Sequence, residues 1–428
     1  MQQRIKVLSI MVAGGLSLAV ASGGVLYAAT GGSGGSEPVA QAPRGAQAPL
    51  LKQGQWVFRY DTFGDEIKWT DTLHLNQVIQ SAVSPATALS VGLKVDVDAL
   101  PDSVKQGIAN GSIDLNNPQT TLALIKLNAV VGIQGTVDTN PDGSMTLARV
   151  GTTCALCHST VDNSFAAGIG HRLDGWPNRD LNPGAIIALS PAVTTAQKAQ
   201  LNSWGPGKYD PRWNFDGLSD PAVIPPAYGL AGIHCVVFTC DGPNLSYWNR
   251  YVAVTQMGGQ GVFADPRVET QLDPATPGLA PGWHPGAFMV NGTQDLVSGA
   301  LRSLQAYQLS IKAAPPPAGS FDVAAARRGS AVFRQDCASC HSGPSFTDAN
   351  FRLHPPEATA AKDKLYVYRS ATGMWRTSPL RGIWQHPPYF HDGSAKTLAD
   401  VVDAYDAKLR LNLAPQQKSD LVEYLKSL

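Results

Sequence analysis

The sequence predicts a mainly α-helical protein built from two similar domains with long ordered loops, and three observations carry that expectation. The pentapeptide Cys154-Ala-Leu-Cys157-His158 recurs as Cys337-Ala-Ser-Cys340-His341. Apolar residues at helical spacing occur near both copies. The 42 glycines and 31 prolines then supply the punctuation for ordered loops between the helices. Cys-x-x-Cys-His is the attachment signal for a c-type haem: the two thiols add to the haem vinyl groups, and the next residue lies beneath the iron as its proximal ligand. The doubled motif therefore predicts two covalently bound haems on two cytochrome-c-like haem domains. Cys154, Cys157, Cys337 and Cys340 attach them, and His158 and His341 ligate the irons. A structural zinc site draws its histidines from a spaced pair of their own, and that spacing is absent.

At the start of the chain, Met1 to Lys6 is short and basic, and Val7 to Ala29 is almost wholly apolar or small, which marks the chain for export. Residues 1–29 serve either as a signal cleaved near Tyr27-Ala28-Ala29 or as a retained membrane anchor, since the run is long enough to span a bilayer. Residues 30–49, rich in Gly, Ser, Pro and Ala, read as a flexible tether. Export predicts a periplasmic, oxidising setting, in which Cys235 and Cys240, the two cysteines not claimed by haem, form a loop disulfide. Basic and acidic residues number 33 each, so the chain has no electrostatic footprint for nucleic acid.

Residues 50–320 are expected to form an N-terminal haem domain. Its lead-in, Trp56 to Trp69, mixes aromatics with acids, and the apolar positions Leu122, Leu124, Ile125, Leu127 and Val130 predict one buried helix over Thr120 to Val131. Ala313-Ala-Pro-Pro-Pro-Ala-Gly319 is a stiff linker by composition. Residues 321–428 then form a C-terminal cytochrome c domain. Asp322 caps a helix leading into Cys337, Thr397-Leu-Ala-Asp400 is a capping box opening a helix that carries Tyr405, and Pro415 opens a terminal helix with an apolar stripe.

Three C-terminal stretches carry a resemblance to a known family: Thr377-Ser-Pro-Leu-Arg-Gly382, Pro388-Tyr-Phe-His-Asp-Gly393 and Thr397 to Tyr405. In order and spacing they resemble the bacterial dihaem cytochrome c peroxidases and their relatives that oxidise tryptophan side chains of partner proteins. Gly168-Ile-Gly-His171 with Asn178-Arg179 is similar to the family's segment bearing a removable distal histidine. Gln256-Met-Gly258 is similar to its Glu-Met-Gly segment. The resemblance spans Gly151 to Leu428, is patchy between Leu181 and Phe321, and leaves Gln53 to Val150 without a parallel.

The resemblance implies that the N-terminal haem reacts with peroxide while the C-terminal haem exchanges electrons. His171 then either ligates the far side of the reactive iron or hydrogen-bonds a propionate. For the second iron, Tyr405 matches the position that is tyrosine in the tryptophan-modifying branch, and Met374 is the rival, since thioether ligation is common in c-type cytochromes. His391 reads as a support to the ligands or as structural, rather than as an iron ligand.

Gln256 replaces the expected proton-shuttling carboxylate, and an amide orients an oxidant without transferring protons. Asp265 and Glu269 are substitute acids. Phe215 precedes Asp216-Gly217 where the family has a tryptophan, which leaves Trp213, Trp204 and Trp176 as candidate electron relays beside the plainer role of packing.

The function expected is that of a periplasmic dihaem oxidoreductase of the peroxidase type. It would use peroxide or dioxygen and an electron-donor or electron-acceptor protein, with Gln256, His171 and Trp213 as the catalytic candidates. The alternatives are an oxygen-dependent dihaem oxygenase, as in the related rubber oxygenases, and a non-catalytic electron carrier.

Overall fold

The computed structural model describes residues 44–210, 219–265, 288–368 and 370–428. The export segment, Trp213, Phe215, Asp216, Gly217 and Glu269 lie outside the described residues. Helix accounts for 42% of the described residues, and the strands occur, among the same residues, in five two-stranded sheets. Among the same residues, no helix is long and apolar enough to cross a membrane.

The first helix, α1, spans Arg44–Tyr60, so the tether expected over residues 30–49 ends at least six residues early. Ala46, Gln47 and Ala48 are good helix formers, while Pro49 lies inside the helix and removes one backbone hydrogen bond from its second turn. Further along α1, Val57 and Phe58 are buried, and Phe58 packs on Tyr307 with ring centroids 5.6 Å apart. One turn of π-helix, Ile67–Thr72, and the helix α2, Leu75–Ala82, follow.

The buried helix expected over Thr120 to Val131 is shorter than that. Helix α3 runs Pro118–Lys126 behind an Asn117 cap, and the chain then turns at Asn128, which adopts a left-handed φ of 54°. Beyond the turn, β1 (Ile133–Thr139) and β2 (Met145–Thr152) form an antiparallel hairpin that delivers the first haem motif. The apolar run alone could not separate a long helix from a short helix followed by a strand, because both bury Val130 and Ile133. The motif itself is a single turn, α4 (Ala155–His158), continued by β3 (Ser159–Val161), which pairs with β4 (Arg172–Asp174).

Two apolar cores enclose this motif. One gathers Trp69, Leu122, Ile125, Leu147, Ile169, Leu201 and Trp204, with Leu156 of the motif packed against it. The other gathers Phe58, Phe63, Ala155, Val254, Phe263 and Leu304, from α1, from α5 (Leu245–Tyr251) with the π-helical turn Val252–Met257, and from α6 (Leu301–Ser310). A disulfide joins Cys235 to Cys240, as expected. The segment Ile311–Pro317 lacks regular structure and is pinned where the indole of Trp384 donates to the carbonyl of Ala314 at 3.2 Å.

The C-terminal elements follow the expected order. Asp322 caps α7 (Val323–Asp336), Thr397 and Asp400 form the capping box of α8 (Leu398–Leu409), and Pro415 opens α9 (Pro415–Lys426). Val332, Phe333, Leu380, Ile383, Leu398, Val402, Leu421 and Leu425 make their common core. The helices α7 and α9 cross at Gly329, where an added Cβ would lie 1.9 Å from the carbonyl oxygen of Asp420. Gly329→Ala must push the two helices apart, and a loss on the order of 3 kcal/mol is expected from overpacking at this site. Thermal unfolding should show the shift, whereas Arg327→Ala, at an exposed position two residues earlier, should leave the midpoint in place.

Candidate haem sites

The first motif is held at its entrance by a buried carboxylate. Asp65 accepts hydrogen bonds from the amide of Thr152 at 3.1 Å and from its hydroxyl at 2.6 Å. Burial drives the Asp65 pKa well above the usual carboxylate range, although the Thr152 bonds pull it down. Thr153 then caps the short turn, donating to the carbonyl of Arg59 while its hydroxyl accepts from the amide of Ala155. At the exit, the amide of Gly175 donates to the carbonyl of His158 at 2.8 Å, and that of Asn178 donates to the carbonyl of Cys157 at 2.9 Å.

His158 Nδ1 lies 3.0 Å from the carbonyl oxygen of Pro225. A carbonyl only accepts, so Nδ1 carries the proton and Nε2 keeps its lone pair. Burial holds the ring neutral by pushing its pKa down to about 4.

The second motif reaches the same arrangement by another route. It continues the C-terminal end of α7, with the amide of Cys337 donating to Phe333 and that of His341 to Cys337. His341 Nδ1 lies 3.0 Å from the carbonyl oxygen of Phe346, which again leaves Nε2 bare, and burial lowers the His341 pKa. Phe346 takes a φ of 54°, a conformation that costs a bulky residue of order 1–3 kcal/mol. The surrounding contacts hold it there: Arg381 donates to the carbonyl of Pro344 at 2.8 Å and lies over the Phe346 ring at 4.8 Å.

Cys154, Cys157, Cys337 and Cys340 are all free thiols. Burial pushes Cys154 and Cys157 up to about 12 and Cys337 up to about 11, so these three are neutral near pH 7. Paired thiols beside a histidine with a bare Nε2 make a donor set that fits c-type haem at both motifs.

The other expected site residues separate into distinct places. Tyr405 faces the second motif: its buried hydroxyl feels both Cys337 and Cys340 and is hydrogen-bonded with Thr359 and the backbone at Ala360. Burial raises its pKa. Met374 is tied through its backbone to the hydroxyl of Thr372, at 3.1 Å from its amide and 3.2 Å from its carbonyl. His391 is buried, pairs with Asp363 at 3.1 Å and packs on Trp375 with centroids 4.5 Å apart, in keeping with a structural role.

His171 is not brought to His158. It lies beyond the end of the β3–β4 ladder, with an exposed imidazole paired to Asp98 at 3.0 Å, and that carboxylate raises its pKa. The resemblance implied a distal position. In this structure the nearest strong anion, Asp98, belongs to the region without a family parallel, and it draws the ring outward.

Gln256 stands in the π-helical turn Val252–Met257, and its carbonyl accepts from the buried ammonium of Lys68. Burial pushes Lys68 down to about 8, against the pull of Asp65. The indole of Trp69 donates to the carbonyl of Met257 at 2.9 Å. Asp65 and Lys68 were not singled out from the sequence; the only signal was their place among the aromatics of the lead-in. The substitute acid Asp265 is buried and receives the hydroxyl of Tyr247. Trp204 packs edge-on to Tyr209 inside the first core. Trp176 instead meets Trp384 of the C-terminal region edge-on, with centroids 5.8 Å apart, and lies 6.5 Å from Tyr228.

With this geometry in place, the C-terminal region is a cytochrome c domain: the family model for cytochrome c matches residues 326–428. The chain is also similar to bacterial cytochrome-c peroxidase and MauG proteins. The cytochrome-c peroxidase IdrP1 of Denitromonas iodatirespirans is 30% identical, across 24% of this chain and 40% of its own. The methylamine utilization protein MauG of Methylorubrum extorquens is 32% identical, across 24% of this chain and 34% of its own. A solved MauG-like protein associated with microbial copper homeostasis covers 32% of this chain and 55% of its own at 20% identity, with a TM-score of 0.25. That score carries no structural argument. The chain spans between 30% and 40% of the length of the curated relatives it matches.

The Asp65–Thr152 contact yields a direct test. Asp65→Ala leaves two buried donors without an acceptor, and a loss of about 2–4 kcal/mol is expected. Denaturant unfolding measures that loss, and intact mass should show under-filled haem attachment at Cys154 and Cys157 with Cys337 and Cys340 unaffected.

Proposed function

We propose that this chain is an exported, periplasmic dihaem c-type oxidoreductase of the peroxidase type, reducing peroxide or using it to oxidise a partner protein. The observation that carries the reading is the pair of motifs in which His158 and His341 each spend Nδ1–H on a backbone carbonyl and keep Nε2 for iron. Bound haem supplies the redox chemistry, taking the oxidant and holding oxidising equivalents. The chain's own residues then divide the work between residues 50–320, around His158, and residues 321–428, around His341.

On the first side, the segment from Gln256 to Gly258 orients the oxidant, with Lys68 fixing its backbone, and His171 enters only when its loop turns away from Asp98. On the second side, the phenol of Tyr405 would join His341 in holding the iron. Its proximity to Cys337 and Cys340 supports this over Met374. A phenolate favours ferric iron and lowers the potential. Trp176 and Trp384 provide an aromatic bridge for electron exchange between the two sides. A second reading, direct use of dioxygen, is favoured by one observation, the amide at Gln256, which orients an oxidant by hydrogen bonds yet shuttles no proton.

Intact mass and haem-stained denaturing electrophoresis should show two covalent haems, falling to one in Cys337→Ala/Cys340→Ala; a wild-type mass with one haem or none refutes the dihaem reading. In the ferric protein, one exchangeable or high-spin iron marks an enzyme, whereas two locked low-spin irons mark an electron carrier. Tyr405→Phe should change the spectrum of the C-terminal haem and raise its potential while Met374→Leu leaves both unchanged. The reverse pattern assigns the ligand to Met374.

A further inference from the structure

Among the described residues, Arg179 is a cation without a carboxylate counter-ion. Its guanidinium stays charged at any pH the protein experiences, even with burial pushing its pKa down to about 10. Its Nε and Nη1 are both buried, and neither has a hydrogen-bond partner among the described residues. No carboxylate among those residues forms an ion pair with it. The groups that bear on it electrostatically are the phenols of Tyr228 and Tyr389 and the imidazole of His386.

Both phenols already donate their hydrogen bonds elsewhere, Tyr228 to the carbonyl of Gly382 at 2.9 Å and Tyr389 to that of Ile383 at 3.0 Å. His386 is kept neutral by burial and by Arg179 itself, and its Nδ1 is likewise buried without a partner. A buried charge left in this state is strongly destabilising, so the cluster calls for an anion.

The position of the cluster says which anion. The residue before Arg179, Asn178, bonds through its amide to the carbonyl of Cys157 in the first haem motif. His386 and Tyr389 come from the C-terminal region, in the same short stretch as Trp384, which meets Trp176. The cluster thus sits at the seam between the first motif and the C-terminal domain. A planar fork of N–H donors matches a carboxylate.

We infer that Arg179 and His386 together hold a carboxylate at this seam, and that the carboxylate is a propionate of the haem attached at Cys154 and Cys157. The inference rests on the dihaem reading and deepens it. The first haem becomes a structural part of the contact between the two sides, and the guanidinium charge raises its reduction potential, because a nearby cation disfavours the extra positive charge of ferric iron.

Redox titration of the holoprotein tests this in wild type, Arg179→Gln and Arg179→Lys. Haem load is checked by mass, and added acetate is used as a free-carboxylate probe. The expected result is that both variants retain two haems and Arg179→Gln lowers the potential of the N-terminal haem alone. At the wild-type midpoint its reduced-to-oxidised ratio should fall on the order of tenfold, the coulombic effect of removing one unit charge near a partly buried redox centre. Acetate should have no effect on the wild type. Arg179→Lys, which keeps the charge and loses the fork, should fall between wild type and Arg179→Gln, and it stands in if Arg179→Gln does not fold.

Two fully loaded haems with unchanged potentials in the folded variant overturn the inference. A saturable acetate shift in wild type, abolished in the variant, overturns the propionate assignment in favour of a free carboxylate. Fewer than two haems in wild type is a failure of the dihaem reading itself, and mass alone detects it.

Discussion

A backbone carbonyl that accepts a hydrogen bond from the Nδ1–H of a histidine is the contact shared by both candidate haem sites. An imidazole has one lone pair to offer when neutral, and the hydrogen bond at one nitrogen decides that the lone pair stays at the other. The two sites obtain that carbonyl at very different chain distances. For His341 it comes from Phe346, five residues on, within the turn that follows the motif. For His158 it comes from Pro225, 67 residues away, so the first site exists only once the intervening chain has folded back.

That difference explains the unequal architecture around the two motifs. The second needs little beyond α7, α8, α9 and a strained turn, and it occupies the compact cytochrome c domain. The first is braced on all sides by distant partners: Asp65 at its entrance, Gly175 and Asn178 at its exit, and apolar cores on both flanks. The region between Gln53 and Val150, which lies outside the stretches that resemble the dihaem peroxidases, therefore has a physical role in the structure. Its hairpin carries the motif, its core packs on Leu156, and its buried Lys68 and Asp65 reach Gln256 and Thr152 respectively.

The seam between the two sides combines two kinds of contact. Trp176, Trp384 and Tyr228 meet edge-on, an arrangement favoured by ring quadrupoles. Beside them Arg179, His386, Tyr228 and Tyr389 form a polar cluster whose phenols are satisfied and whose cation is not. Apolar contacts set the distance between the sides. The unspent guanidinium makes the seam responsive to whatever anion completes it.

Local sequence by itself determined the features that depend on a few neighbouring residues: the paired Cys-x-x-Cys-His motifs, the Asp322 cap, the Thr397–Asp400 capping box, the Pro415 start of α9 and the Cys235–Cys240 disulfide. Each is a short-range contact whose partners lie within five residues, so spacing alone identifies it. Tertiary structure decided the rest. It ended the helix expected to run to Val131 at Lys126, because the left-handed turn at Asn128 feeds a hairpin that the apolar pattern does not distinguish from more helix. It turned His171 toward Asp98, since an exposed carboxylate 73 residues away competes for the imidazole. It also put Tyr405 beside Cys337 and Cys340, and Lys68 against Gln256, across separations that no local pattern encodes. Burial and ion pairing depend on which distant surfaces meet, and that is a property of the packed chain.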